Sequence, residues 1–281
     1  MKKVLLLLTF ICAVAQADNS GDFVRFQYDY FDFTDSKQKE YGNRGTVHFK
    51  KGYGGMQFQV AYEKTVTETC KPPLKENLNV DKLIARYDQK LFESGRYNLG
   101  IIAVRDNLVP TDGGRVFNLG YMHRLTPGAA LEGNIYYGYY DIMKTYQFDA
   151  ALKLHKKIGA VDTTFIGVLK DIVVDECSDV FCANAEPNYL TAGVKVKLDY
   201  NGYFLHAAGF YGKRVFAVMM EGFMLQHHAM EFDRTYMVGV GKRFRDVELK
   251  LRYITQQAKE LPLNNSGVGV DAVSLRVAYF F

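Results

Sequence analysis

Residues 131–157, LEGNIYYGYYDIMKTYQFDAALKLHKK, alternate apolar and polar side chains through two runs joined near 142–145. In the first run Leu131, Ile135, Tyr137 and Tyr139 share one side, and Glu132, Asn134, Tyr136 and Tyr140 share the other. In the second, Tyr146, Phe148, Leu152 and Leu154 lie opposite Gln147, Asp149, Lys153 and His155. A period of two belongs to a β-strand, whose successive side chains point to opposite faces. The segment therefore reads as a hairpin with one apolar face and one polar face.

The same alternation returns in FVRFQYDYFDF (23–33), GMQFQVAYEKT (55–65), YLTAGVKVKLDY (189–200) and VELKLRYITQ (247–256). Between such segments the connections fall into two classes that take turns along the chain. One is tight: KGYGG (51–55), ESGR (93–96), TPGA (126–129), IGA (158–160), NG (201–202) and RD (245–246). The other is longer and polar, at 34–41, 68–79, 106–114, 175–188, 216–231 and 259–267, with a short exception near 142–145. A soluble all-β protein has no reason to sort its turns by length. A transmembrane barrel has one, since its two ends face different compartments. The fold class read from this is all-β: a transmembrane antiparallel up-and-down β-barrel of about 14 strands, with 12 or 16 as alternatives and both termini at the tight-turn end. Beyond the first residues, no stretch approaches the roughly 18 consecutive apolar residues of a membrane helix.

Lys2 and Lys3 precede the apolar run Val4 to Val14, and Ala15-Gln16-Ala17 offers a small-x-small cleavage site. Residues 1–17 are expected to be a secretory signal peptide and 18–281 a single barrel domain. The 20 Tyr and 20 Phe would supply aromatic girdles at the two membrane surfaces, although Trp, a usual member, is absent. Cys177 and Cys182 bracket SDVF and are expected to close a small disulfide loop, with two free thiols as the alternative. No histidine or third cysteine stands near them, so no metal site is expected. Cys70 is either a free thiol or the partner of another loop cysteine.

The chain closes with VSLRVAYFF (273–281), which puts Phe281, Tyr279 and Val277 on an apolar side and Arg276 and Ser274 on the other. An alternating strand ending in Phe resembles the signal by which bacterial outer-membrane barrels are recognised for assembly. Size and strand count resemble the small monomeric fourteen-stranded porins of the outer membrane. The opening hairpin, VRFQYDYFDFTDSKQKEYGNRGTVHFKKGYG (24–54), is also similar in layout to the porins for acidic oligosaccharides, through Arg25, Tyr28, Asp35-Ser36-Lys37, His48, Lys50 and Gly52. The resemblance implies an integral protein of the cell outer membrane. Its partners would be the membrane lipid and lipopolysaccharide, the barrel assembly machinery, and small anionic or neutral hydrophilic solutes, with no nucleic acid.

In such a barrel the apolar side of each strand meets lipid and the other meets the lumen. The inward set holds more basic than acidic residues, and Arg25, Arg86, Lys153, Lys195, Lys197, Arg252 and Arg276 are the candidate lumen contacts for anions and other solutes. Burying unpaired charge costs several kcal/mol per ion, so a water-filled channel is expected rather than a packed core. A positive surplus in a low-dielectric wall attracts anions. The expected function is passive diffusion of small hydrophilic solutes through a porin with anion preference. The plainer reading of strand-end lysines such as Lys50 and Lys157 is contact with solvent or headgroup phosphates.

The stretch VFAVMMEGFMLQHHAM (215–230) is too apolar for a simple wet loop. Met219, Met220 and Met224 are expected to form a constriction, with an extended hairpin or a partner contact as alternatives. His227-His228 is followed by AMEFDR without a serine, so no catalytic residue and no cofactor is expected. The remaining alternatives are a structural or adhesive barrel acting through its loops and, less favoured, a barrel lipid hydrolase.

Overall fold

A computed structural model describes residues 21–69, 76–107, 111–177, 184–226 and 229–281. The expected signal peptide, Cys70, Cys182 and the His227-His228 pair lie outside these residues. The strands are β1 (Phe23–Thr34), β2 (Lys39–Tyr53), β3 (Met56–Thr69), β4 (Leu78–Lys90), β5 (Gly95–Asp106), β6 (Arg115–Thr126), β7 (Ala129–Tyr140) and β8 (Met143–Ile158). They continue with β9 (Val161–Asp175), β10 (Asn188–Tyr200), β11 (Tyr203–Arg214), β12 (Val218–Met219), β13 (Met224–Leu225), β14 (Met230–Phe244), β15 (Val247–Glu260) and β16 (Asn265–Phe280).

All but β12 and β13 pair with their neighbours in an antiparallel, closed barrel of fourteen strands. The seam between β1 and β16 runs unbroken from Phe23↔Phe280 to Thr34↔Gly269. Closure leaves no edge strand and no unpaired row of backbone groups, which is the only way a sheet can sit in hydrocarbon. Barrel strands have 12 to 16 residues, more than the roughly 9–11 needed to cross a bilayer. The hairpins therefore project past the apolar belt, and the loops expected at 34–41 and 259–267 contract to 35–38 and 261–264.

The outward face is apolar at mid-height: Leu83, Leu119, Ile135, Val238, Leu251 and Leu275 are all exposed. An apolar surface continuous around a barrel is tolerated only where lipid replaces water. Outward carboxylates are answered locally by tyrosines, Asp81 by the Tyr62 hydroxyl and Asp271 by that of Tyr253.

On the inner face, aromatic rings lie across glycines of the next strand. Phe31 covers Gly42 and Phe204 covers Gly241, each pair being in register. A Cβ at Gly241 would come within 2.3 Å of the Phe204 ring and 2.6 Å of the Leu249 carbonyl oxygen. Gly241→Val is expected to destabilise the barrel by about 1–3 kcal/mol through overpacking, read as a lower urea midpoint for refolding into micelles. A midpoint equal to that of the wild type would remove this packing from the account.

The inner face is layered along the barrel axis. At the long-loop end it is apolar, with Phe31, Phe33, Phe232, Val268 and Val270 on one side and Val80, Val104, Tyr140, Met143, Ile172 and Val174 on the other. This corrects the expectation of a wet interior along the whole axis. The reason lies partly in β5, where Ile101, Ile102, Ala103 and Val104 are apolar on both faces, so alternation there does not mark a polar lumen. The other reason is the connection from β11 to β14. It turns inward, and β12 and β13 pair as a short hairpin, Val218↔Leu225 and Met219↔Met224, around a 3-10 turn at Met220–Gly222.

Candidate functional site

The inward hairpin is positioned by the strand before it. At Gly212, φ is +104° and a Cβ would fall 2.3 Å from the Leu190 carbonyl oxygen, so only glycine fits. A register shift follows between Tyr211 and Arg214 against β14. Such bulges re-aim a strand end, and here the chain turns into the barrel at Val215, Phe216 and Ala217, all buried.

Polar groups of the wall then hold the hairpin backbone. The Gln147 side chain accepts from Val218 N–H at 2.8 Å and donates to its carbonyl at 2.7 Å. Lys170, ion-paired with Asp149, also donates to the Val218 carbonyl at 3.0 Å. On the opposite wall Lys82 bridges Glu63 at 2.7 Å and the Leu225 carbonyl at 2.9 Å. The tip is fixed by Phe223, whose ring stacks on His48 with centroids 4.5 Å apart. Both lysines are thus fully engaged buried cations, each sharing its protons between a carboxylate and a hairpin carbonyl.

Between the hairpin and the short-turn end lies a cavity of about 620 Å³. Among the described residues, eleven Arg or Lys residues and three carboxylates line it. Some cations are paired: Arg86 with Asp88 at 2.8 Å, Arg44 with Asp29 at 2.9 Å, Lys153 with Glu132, and Arg276 with Glu248 at 3.3 Å. Among the described residues, Arg25, Lys50, Arg96, Lys195, Arg214 and Lys250 have no carboxylate within ion-pair distance. Arg25 instead approaches His48 at 3.5 Å and the Phe23 ring at 4.3 Å, and Lys250 donates to His206 at 3.2 Å. Arg214 is buried against Gln226 and Thr235. Met219, Met220, Phe223 and Met224 form the roof.

Of the basic residues singled out from the sequence, Arg25, Arg86, Lys153, Lys195, Arg252 and Arg276 line this cavity. Lys197 does not. It stands two residues further toward the short-turn end, pairs with Asp199 at 3.2 Å and keeps 46 % of its side chain exposed, because parity fixes the face of a strand but not the depth of the lumen. Arg96 was assigned to a turn, whereas β5 begins at Gly95 and carries it inward. His48 and His206 enter the site as neighbours of cations, and the register Arg25↔His48 is the signal that joins the first of them to the basic wall. Cys177 is disulfide-bonded. Val277 and Tyr279 face outward, and the Phe281 N–H donates to the Asp22 carbonyl at 3.2 Å, tying the two ends of the barrel together.

No family model matches the chain. No curated protein matches it either. Among solved structures, the Acinetobacter baumannii outer membrane protein Omp33 is 11% identical and aligns over 94% of this chain and 100% of its own, with a TM-score of 0.52. A Pseudomonas aeruginosa FadL homologue is 9% identical over 92% of this chain and 90% of its own, with a TM-score of 0.56. The ΔS2S3 mutant of TodX, described as a monoaromatic hydrocarbon channel, is 8% identical over 94% of this chain and 91% of its own, with a TM-score of 0.57. The likeness is one of fold: the chain is a closed, fourteen-stranded antiparallel barrel like that of the outer membrane protein Omp33.

Proposed function

We propose that the protein is an integral outer-membrane channel through which small hydrophilic solutes diffuse passively, with preference for anions. The observation that carries this is the excess of eleven basic over three acidic residues around the lumen cavity. In a low-dielectric wall this excess raises the local concentration of anions and repels cations. Lipid and lipopolysaccharide surround the apolar belt, and the assembly machinery reads Val277 and Tyr279 of the last strand together with Phe281 after it. A hydrolase is not favoured, since His48 bonds Arg25 and Gln59 and His206 bonds Lys250, and among the described residues neither is hydrogen-bonded to a serine.

The test is the reversal potential of the refolded barrel in a planar bilayer across a KCl gradient. Chloride preference is expected. Replacing Arg25, Arg86, Lys195 and Arg252 together by glutamine is expected to abolish or invert it. Cation preference in the wild type would overturn the proposal, and unchanged selectivity in the variant would remove those four residues from it.

A further inference from the structure

The cavity has two walls of opposite chemistry. On the strand wall, Arg276 lies in register with Lys250 on one side and with Gln27 on the other, next to Arg25, so three cations form a continuous arc over β1, β16 and β15. One carboxylate, Glu248, serves this arc through Arg276. The Nε atoms of Arg25 and Arg276 are buried without a hydrogen-bond partner. Clustered, partly desolvated cations without matching carboxylates lack the counter-charge that their burial calls for.

The roof is the hairpin, whose cavity face is Met219, Met220, Phe223 and Met224 and whose tip, Phe223, stacks on His48 beside Arg25. Thioether and aromatic groups offer a polarizable, adaptable apolar surface. A filter for inorganic anions or polyhydroxylated acids gains nothing from such a roof, whereas a solute with an apolar body does. The space, about 620 Å³, falls within the roughly 300–1,000 Å³ typical of small-molecule sites.

We infer that this cavity is a binding site for an amphipathic organic anion, a carboxylate on an apolar body of about one aromatic ring or a short acyl chain, with its charge on the Arg25–Arg276–Lys250 arc and its body under the methionine and phenylalanine roof. The inference rests on the anion-channel reading and narrows its solute class. The carboxylate displaces water from Arg25 and Lys250, which have no carboxylate of their own, and shares Arg276 with Glu248, and the hairpin shields the ligand from the long-loop side.

The test is isothermal titration of the full-length processed barrel in nanodiscs of zwitterionic phospholipid with three probes: phenylacetate, acetate and 2-phenylethanol. Phenylacetate is expected to bind at least ten-fold more tightly than either of the others. Arg276→Gln combined with Lys250→Gln removes that advantage over phenylethanol, and Met224→Ser combined with Phe223→Ser removes the advantage over acetate. Arg276→Lys, which keeps the charge, retains binding and separates loss of the site from loss of the fold. Equal affinity for acetate and phenylacetate, equal affinity for phenylethanol and phenylacetate, or no binding of any probe would each overturn the inference. The reversal potential keeps the two readings apart: chloride preference without phenylacetate binding removes the site alone, whereas cation preference removes the channel reading beneath it.

Discussion

Excising the lumen hairpin is expected to raise single-channel conductance roughly tenfold, because a fourteen-stranded barrel encloses more space than its own wall side chains can fill. The Gln226 N–H donates to the Ala217 carbonyl at 2.9 Å, so the two ends of the hairpin already stand at strand-pair distance. Residues 218–225 can therefore be replaced by an Asn-Gly turn without stretching the chain. Barrel closure does not depend on them, since β11 and β14 pair directly from Tyr203↔Lys242 to Arg214↔Phe232. What the deletion removes is the apolar mass that packs against Tyr136, Ile172 and Val174 and fills the middle of the lumen. Conductance in planar bilayers is the measurement. An unchanged value in a folded variant would mean that the apolar layer at the long-loop end, not the hairpin, sets the resistance.

Lys170→Met is the second large expected effect. Its side chain is 5 % exposed, and its ammonium answers Asp149, 9 % exposed, while also holding the Val218 carbonyl. Removing one partner of a buried pair leaves an uncompensated charge and costs roughly 3–5 kcal/mol. The urea midpoint should fall, and single-channel traces should flicker as the hairpin loses one of its wall anchors. Adding Asp149→Leu removes the stranded carboxylate and should recover most of the midpoint but not the steady current, because the Val218 carbonyl still lacks the ammonium. A midpoint in the single variant equal to that of the wild type, or a double variant with steady current, would show that this pair does not anchor the hairpin. Lys82 and Glu63 form the matching anchor on the far wall, at 1 % and 4 % exposure.

Much of the barrel was legible from local pattern. Alternation in FVRFQYDYFDF put Arg25 on the inward face, and in the structure Gln27 and Asp29 share that face while Phe26, Tyr28 and Tyr30 are exposed on the other. Turn sorting yielded the strand number, because the GG, NG and RD turns each join adjacent strands. The methionines of the 215–230 stretch were picked out because an apolar run that size has no place in a wet loop. Arg96 was missed because the ESGR turn hides a strand start.

What the sequence by itself determined is most of the sheet: which residues form strands and, wherever a strand alternates cleanly, which of its faces is apolar. These properties depend on neighbours one or two positions apart, and a period of two records them directly. Only the tertiary structure decided what fills the barrel. Lys82 meets Glu63 at a separation of 19 residues and Leu225 at 143, and Gln147 meets Val218 at 71. Parity tells a side chain to face inward; it carries no information on height along the axis or on which group arrives from across the lumen, and those contacts divide the interior into a packed half and a basic cavity.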